Sequence, residues 1–271
     1  MRIIFLTSSF HIGASITLRR ILRSPSFEVV GIIHHQVVSP DMKNVRKILK
    51  MIRHAGVSFM VKIGFVNIVQ KIGISLSRIF RAPHRRKLFD VHELAHTYGV
   101  PIFSTSNVNC SESVAFVKDL APDILVSCYL LQIVRSDMLS IPREGAINVH
   151  PALLPKFPGS WTNFWILYHG EQEGGVTVHY MNEHIDAGGI ILQKHFSLRG
   201  KALSLQCFTK KTADFAAEAL LKALHLLKRK KAHPQKNHRA RYLFSLPRKT
   251  EAERFGKTFR FVRFRKFLQW F

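Results

Sequence analysis

Arg2-Ile3-Ile4-Phe5-Leu6-Thr7, and then Phe27-Glu28-Val29-Val30-Gly31-Ile32-Ile33-His34, are the stretches whose reading decides the fold. Each is a short apolar run rich in Ile, Val and Phe, as a strand buried on both faces requires. Between them, residues 8–13 make a turn and residues 15–22 carry helical spacing. Strand, turn, helix and strand within so few residues is the opening of a parallel βαβ unit.

The same rhythm returns further along. A helix is expected at residues 88–98, stopped by Gly99, with a short strand at 100–103. Ser111 reads as an N-cap ahead of Val114, Val117 and Leu120. Strands follow at 124–127 and 146–150, then a Gly- and Pro-rich loop at 151–159 and a helix at 163–169. Strands at 176–181 and 190–196 and a long helix at 203–227 close the pattern. The expected fold class is α/β: an open, mostly parallel, twisted sheet of Rossmann type with helices on both faces. Functional loops of such a sheet lie at the carboxyl ends of its strands.

The chain has 271 residues, 46% of them hydrophobic, which is enough for one large core and an appendage. Three widely spaced cysteines, Cys110, Cys128 and Cys207, fit a reducing compartment rather than a disulfide framework. The opening apolar run is too short for a secretion signal, so the expected location is cytoplasmic.

The formal net charge of +24 is concentrated. Residues 43–87 hold 12 Lys/Arg and no acid, and residues 228–271 hold 15 Lys/Arg against Glu251 and Glu253. The rest of the chain is close to neutral. The expected organisation is a catalytic domain at 1–227, interrupted by a basic insert at about 41–87, and a basic, aromatic-rich extension at 228–271. Two such segments suit a polyanionic partner, a nucleic acid such as tRNA or an anionic membrane surface, the latter placing the protein peripherally at the inner face.

The chemistry is concentrated in two places. Asn148 and His150 are two apart on one strand, so they share a face, and Pro151 ends that strand directly after them. Asp186 lies in Glu183-His184-Ile185-Asp186-Ala187-Gly188-Gly189, between two later strands. An amide donor, an imidazole and a carboxylate suit acyl transfer. The donor stabilises an oxyanion, and the imidazole handles protons under the carboxylate's control. With no Ser or Cys beside them as a nucleophile, direct attack by an amine is the simpler route.

The flanks extend this. Residues 147–159 read Ile-Asn-Val-His-Pro-Ala-Leu-Leu-Pro-Lys-Phe-Pro-Gly, residues 175–181 read Gly-Val-Thr-Val-His-Tyr-Met, and residues 185–191 read Ile-Asp-Ala-Gly-Gly-Ile-Ile. In order and spacing this strongly resembles the folate-dependent formyltransferases, which act on methionyl-tRNA, glycinamide ribonucleotide or amino sugars. The resemblance implies that 10-formyltetrahydrofolate is the donor and that no metal is involved. It implies that Asn148 and His150 contact the formyl oxygen and the amine, with Asp186 paired to the histidine. Leu153, Leu154 and Pro155 would line the folate site, and Thr177 would support Asp186 or its water. Ala152 stands where many members have Ser, and Gly189 follows Gly188 where other residues are common. The implied acceptor is a primary amine on an amino sugar, nucleotide- or lipid-linked, or on an aminoacyl-tRNA. An inactive, formyltransferase-like module that binds an anionic partner is the alternative from a different class.

Other motifs compete. His92-Glu93-Leu94-Ala95-His96 has zinc-protease spacing, but position 102, where the extended pattern needs His, is Ile; Glu112 is a third-ligand candidate without a motif. His34-His35 reads as a solvated strand end. Gly13 sits in a first turn too poor in glycine for a dinucleotide, whose helix amides still suit an acceptor phosphate. Residues 51–80 are apolar but broken by Arg53, Lys62, Lys71 and Arg78. On one continuous helix, Arg53, Lys71 and Arg78 fall within about 20° of one another. Two readings stay open: an in-plane membrane helix, or an insert packed on the core with a basic outer face. The aromatics of the extension (Tyr242, Phe244, Phe255, Phe259, Phe261, Phe264, Phe267, Trp270 and Phe271) suit either stacking on a partner or docking on the core.

Overall fold

In the computed structural model, which describes residues 1–8, 12–37, 42–79, 90–199, 204–238, 242–259 and 261, seven strands form one sheet in the order β3-β2-β1-β4-β5-β6-β7. The strands are β1 (Arg2–Ser8), β2 (Glu28–His35), β3 (Ile102–Thr105), β4 (Ile124–Cys128), β5 (Ala146–His150), β6 (Glu173–Tyr180) and β7 (Ile190–Ser197). The pairings from β3 to β5 are parallel, and those of β5 with β6 and β6 with β7 are antiparallel.

The continuous apolar run of β1 is explained by its alternation. Ile3 and Phe5 pack into one cluster with α1 (Ile12–Leu22), α4 (Val91–Tyr98) and α8 (Leu205–Lys228), while Ile4 and Leu6 point the other way, towards α5 (Ser111–Leu120) and α6 (Ser136–Leu139). Both faces are covered, so neither can be polar. α4 begins at Asp90, whose carboxylate accepts from Glu93 N, and ends at Gly99 in the left-handed region. Ser111 is the first residue of α5 rather than its cap, a position held by Cys110, which makes no side-chain capping bond. His34 and His35 are buried rather than solvated, because β2 is an interior strand: His34 Nδ1 lies 3.2 Å from His92 Nε2 and His35 Nδ1 2.9 Å from Ser8 Oγ.

A third cluster stands apart from these. It joins α2 (Met42–Ala55), α3 (Val57–Ile79), α7 (Thr162–Tyr168) and α9 (Lys249–Thr258) through Ala55, Phe59, Phe164, Trp165, Ala252 and Phe255. The stretch expected as one helix is two, broken at Gly56 with φ +86°, so Arg53 is not on the same helix as Lys71 and Arg78, whose side chains lie outside the described residues. Phe244, Phe255, Phe259 and Phe261 dock on this cluster, whereas Tyr242 is exposed. Phe264, Phe267, Trp270 and Phe271 lie outside the described residues. The two basic segments therefore meet: α9 packs on both α2 and α3.

Candidate active site

The register of β5 against β6 builds the site. Asn148 pairs with His179 and His150 with Thr177, and side chains of paired residues share a face. The β6–β7 connection folds back over that face. Asp186 thereby comes to the centre of a cluster, with Oδ2 3.3 Å from His150 Nδ1 and Oδ1 3.5 Å from His179 Nε2 and 3.4 Å from Asn148 Nδ2. Gly159 N donates to Oδ2 at 2.7 Å. Asp186 has φ +51°, a left-handed conformation that Asp tolerates better than most residues.

Electrostatics follow from burial and these contacts. Burial alone would raise the Asp186 pKa, but His150, His179 and the Gly159 amide outweigh it and hold the group at about 2. Burial drives His150 below the ordinary histidine value; Asp186 pulls upward, His179 adds to the lowering, and the Phe157 carbonyl, which receives Nε2–H at 2.8 Å, pulls upward again. The result at neutral pH is a carboxylate anion beside a neutral imidazole able to accept a proton.

The three residues expected to act together, Asn148, His150 and Asp186, are brought together. Thr177 serves the 152–154 loop rather than Asp186. Its hydroxyl donates to Ala152 O at 2.7 Å and accepts from Leu154 N at 3.0 Å and Gln193 Nε2 at 3.0 Å. It pairs with His150 on β6, one alternation short of His179, which is the residue that does reach the carboxylate. Leu153, Leu154 and Pro155 line a cavity of about 560 Å³ together with Phe157, Ile166, His169 and Gln193. Among the described residues hydrogen-bonded in the cluster, Phe157 is the one that also borders that cavity. Ala152 is fully buried, so its methyl faces no solvent.

Sequence reasoning missed three contributors. His179 was visible as the strand position facing Asn148, had the antiparallel register been known. Asn237 donates from Nδ2 to the carbonyls of Asp186 (2.8 Å) and Gly188 (3.1 Å). Phe244 exchanges backbone bonds with Pro158 O and Ser160 N, clamping the turn whose Gly159 amide holds Asp186. A Cβ at Gly159 would lie 2.2 Å from Phe244 O, so this closeness requires glycine. Asn237 and Phe244 carry no motif, and their role exists only through the chain's return.

The structure places the residues of the zinc-protease spacing apart from its third-ligand candidate. His92 faces His34, and Glu112 sits on α5, across the sheet from α4. Among the described residues no group of three or more His, Cys, Asp or Glu is arranged to hold a metal. The turn after β1 that would meet an acceptor phosphate includes residues 9–11, outside the described residues.

The formyl transferase family model matches residues 36–224, more than half of the chain. The chain belongs to the formyl transferase family. It is 33% identical over 162 residues to the bifunctional polymyxin resistance protein ArnA of Wigglesworthia glossinidia brevipalpis, covering 59% of this chain and 24% of that protein. It is 30% identical over 135 residues to the methionyl-tRNA formyltransferase of Ehrlichia ruminantium (strain Gardel), covering 50% of this chain and 44% of that one. The match thus spans less than half the length of either relative. In structure, it is similar to the phosphoribosylglycinamide formyltransferase from Anaplasma phagocytophilum, with TM-score 0.58 and 16% identity, over 90% of this chain and 96% of that one. The fold is shared over 96% of that chain.

Proposed function

We propose that this chain transfers a formyl group from 10-formyltetrahydrofolate to a primary amine by direct attack of the amine on the formyl carbon. The observation that supports this most is Asp186 holding His150, His179 and Asn148 together in one buried cluster at a strand end. The donor supplies the formyl carbon and a nitrogen leaving group. Leu131 and Ile133, 59% and 54% exposed in the segment after β4, offer an apolar wall for a flat ring near the carboxyl end of β5. The Leu153-Leu154-Pro155 loop is the second apolar surface suited to it.

The residues divide the work. Asn148, whose Nδ2 lies 3.2 Å from His179 Nε2 and 3.4 Å from Asp186 Oδ1, turns one of these N–H groups to the oxygen that gains charge when the amine adds. His150, neutral through burial, takes the proton the amine gives up on Nδ1, the ring nitrogen that faces Asp186, while Nε2–H stays bonded to the Phe157 carbonyl. Asp186 stabilises the imidazolium that results and fixes the ring, and the proton returns to the departing nitrogen, so none is gained or lost overall. Preorganised donors of this kind contribute on the order of 10²–10³ in rate.

The acceptor is a primary amine, with amino sugars and aminoacyl-tRNA as the classes to test. The experiment is turnover of 10-formyltetrahydrofolate followed by absorbance, with and without nucleotide amino sugars and methionyl-tRNA. Acceptor-dependent release of tetrahydrofolate is the expected result. Failure to bind the folate at all would favour an inactive binding module.

A further inference from the structure

The outer face of α3 presents a stripe of aliphatic side chains to solvent. Val57 and Val61 are each 64% exposed, Ile68 57% and Ile72 52%, with Phe65 half-exposed among them. At 100° per residue these five fall within an arc of about 80°, and they run for about 22 Å along the helix. The opposite side of α3 is accounted for, since Phe59 is buried and Met60 and Ile63 pack on the third cluster. A helix that only needed to close this core would carry polar groups on its far side. Among the described residues this face of α3 is apolar rather than basic.

Its surroundings say what covers it. On α2, the exposed Arg46, Lys50 and Arg53 follow i, i+4, i+7 spacing and so form one basic face. Lys62 is turned towards α9, with Nζ 5.4 Å from the Phe261 ring centroid, and α9, packed on α2 and α3, adds exposed Arg254, Lys257 and a Lys249 paired with Glu253 at 4.0 Å, beside the exposed Arg248 that precedes it. Lys249 lies over the α2–α3 joint, where a Cβ on Gly56 would be 3.1 Å from its Cγ. An aliphatic stripe framed by cations has the chemistry of an interfacial helix on an anionic bilayer, with methyl groups at the acyl boundary and Lys and Arg at the headgroups. A second copy of the chain fits badly, because two such faces would bring like charges together. RNA fits badly too, since Val and Ile offer bases no stacking surface. No helix among the described residues is long and apolar enough to cross a membrane, and α3 is held on one side by the core.

We propose that the α2–α3–α9 cap docks this protein on an anionic lipid surface, with the Val57–Val61–Ile68–Ile72 stripe entering the headgroup region. This does not rest on the transfer reading, and its test does not use turnover.

The test is flotation of the full chain with vesicles of phosphatidylcholine alone or with added phosphatidylglycerol. Binding to the anionic vesicles and not to the neutral ones is expected, weakened by salt. Val61→Glu/Ile68→Glu removes two membrane-facing groups and should weaken binding at least tenfold, by the area rule for apolar burial. Lys50→Gln/Arg53→Gln should weaken it roughly 30-fold. Both pairs are exposed, so circular dichroism and melting should match the parent. The proposal is overturned if the parent does not float, or if the stripe variant floats as well as the parent. It is also overturned if sedimentation shows that the stripe variant turns a dimer into a monomer while the parent ignores vesicles. Loss of tRNA binding in the stripe variant, with vesicles ignored by the parent, would assign the surface to RNA instead.

Discussion

The β5–β6 cluster and the α2–α3–α9 cap are both built from side chains that look out of place, but in opposite senses. In the cluster, two imidazoles are buried against a carboxylate and a part-buried amide, and each finds a partner within the fold. In the cap, aliphatic side chains are exposed beside a core that had room only for those on the other side of the helix. Burying a charge costs free energy unless it is paired, and the cluster meets that cost with four contacts to one carboxylate. Exposing aliphatic surface forgoes stabilisation, which is why the stripe carries the proposal of a lipid surface. The two features thus lie in separate regions, and the C-terminal extension meets both, through Asn237 at the turn that carries Asp186 and through α9 on α2 and α3.

The largest effect should come from the cluster. Asp186→Asn keeps the shape but removes the charge that stabilises protonated His150, and it should lower kcat on the order of 10³-fold. Steady-state kinetics with the best acceptor checks this; a change under tenfold would detach the carboxylate from the chemistry. Vesicle flotation of the same variant should be unchanged, which keeps the two regions distinct. A neutral base also sets the sign of the pH dependence. Because burial lowers His150 below its ordinary value, kcat/KM should stay level through neutral pH and fall only as the pH drops through that lowered pKa.

Next in size is the cap's attachment. Phe255 is 1% exposed and stacks on Phe164 at 4.4 Å between ring centroids and on Phe259 at 5.0 Å. Phe255→Ala should cost about 3–5 kcal/mol through lost burial and the cavity left behind. Chemical denaturation reads that directly. If the cap and the sheet unfold together, a single transition moves to lower denaturant. Separate transitions would show that the cap is an independent unit, which would draw the line between the regions more sharply.

The sheet was legible because strand signals are local: β1 and β2 are apolar runs bounded by turn residues, and the register-free statement that Asn148 and His150 share a face needs only the period of two. Asp186 was legible through its motif. What failed was whatever depends on a distant partner. Thr177 and His179 differ by one alternation on β6, and only the antiparallel register shows which of them meets Asp186. The helix break at Gly56 was hidden because apolar periodicity continues across it, and the aliphatic outer face of α3 became visible only once Phe59 was known to define the inner one. His34 was misjudged for a similar reason. β2 is an interior strand and His92 of α4, 58 residues away, lies against it; desolvation first, and then His92, take the His34 pKa to about 4.

The smallest expected effect tests the junction between the regions. Asn237 belongs to the extension, yet both of its donor bonds end on the turn that carries Asp186. Asn237→Ala removes two hydrogen bonds to buried backbone and should cost about 1–2 kcal/mol of stability, read from the melting midpoint. If the side chain only braces the fold, the pH profile will keep its shape. If it positions Asp186, the carboxylate will sit less firmly against His150 Nδ1, and kcat will fall by about tenfold for each 1.4 kcal/mol of lost transition-state stabilisation. The profile should then move as well. Asp186 is the neighbour that pulls the His150 pKa upward against burial. Loosening it lets that pKa drop further, so the acid limb of kcat/KM should shift to lower pH even as the plateau falls. A lower plateau with an unmoved limb would mean that Asn237 acts on the turn without acting on the histidine, and that the extension braces the site rather than tuning it.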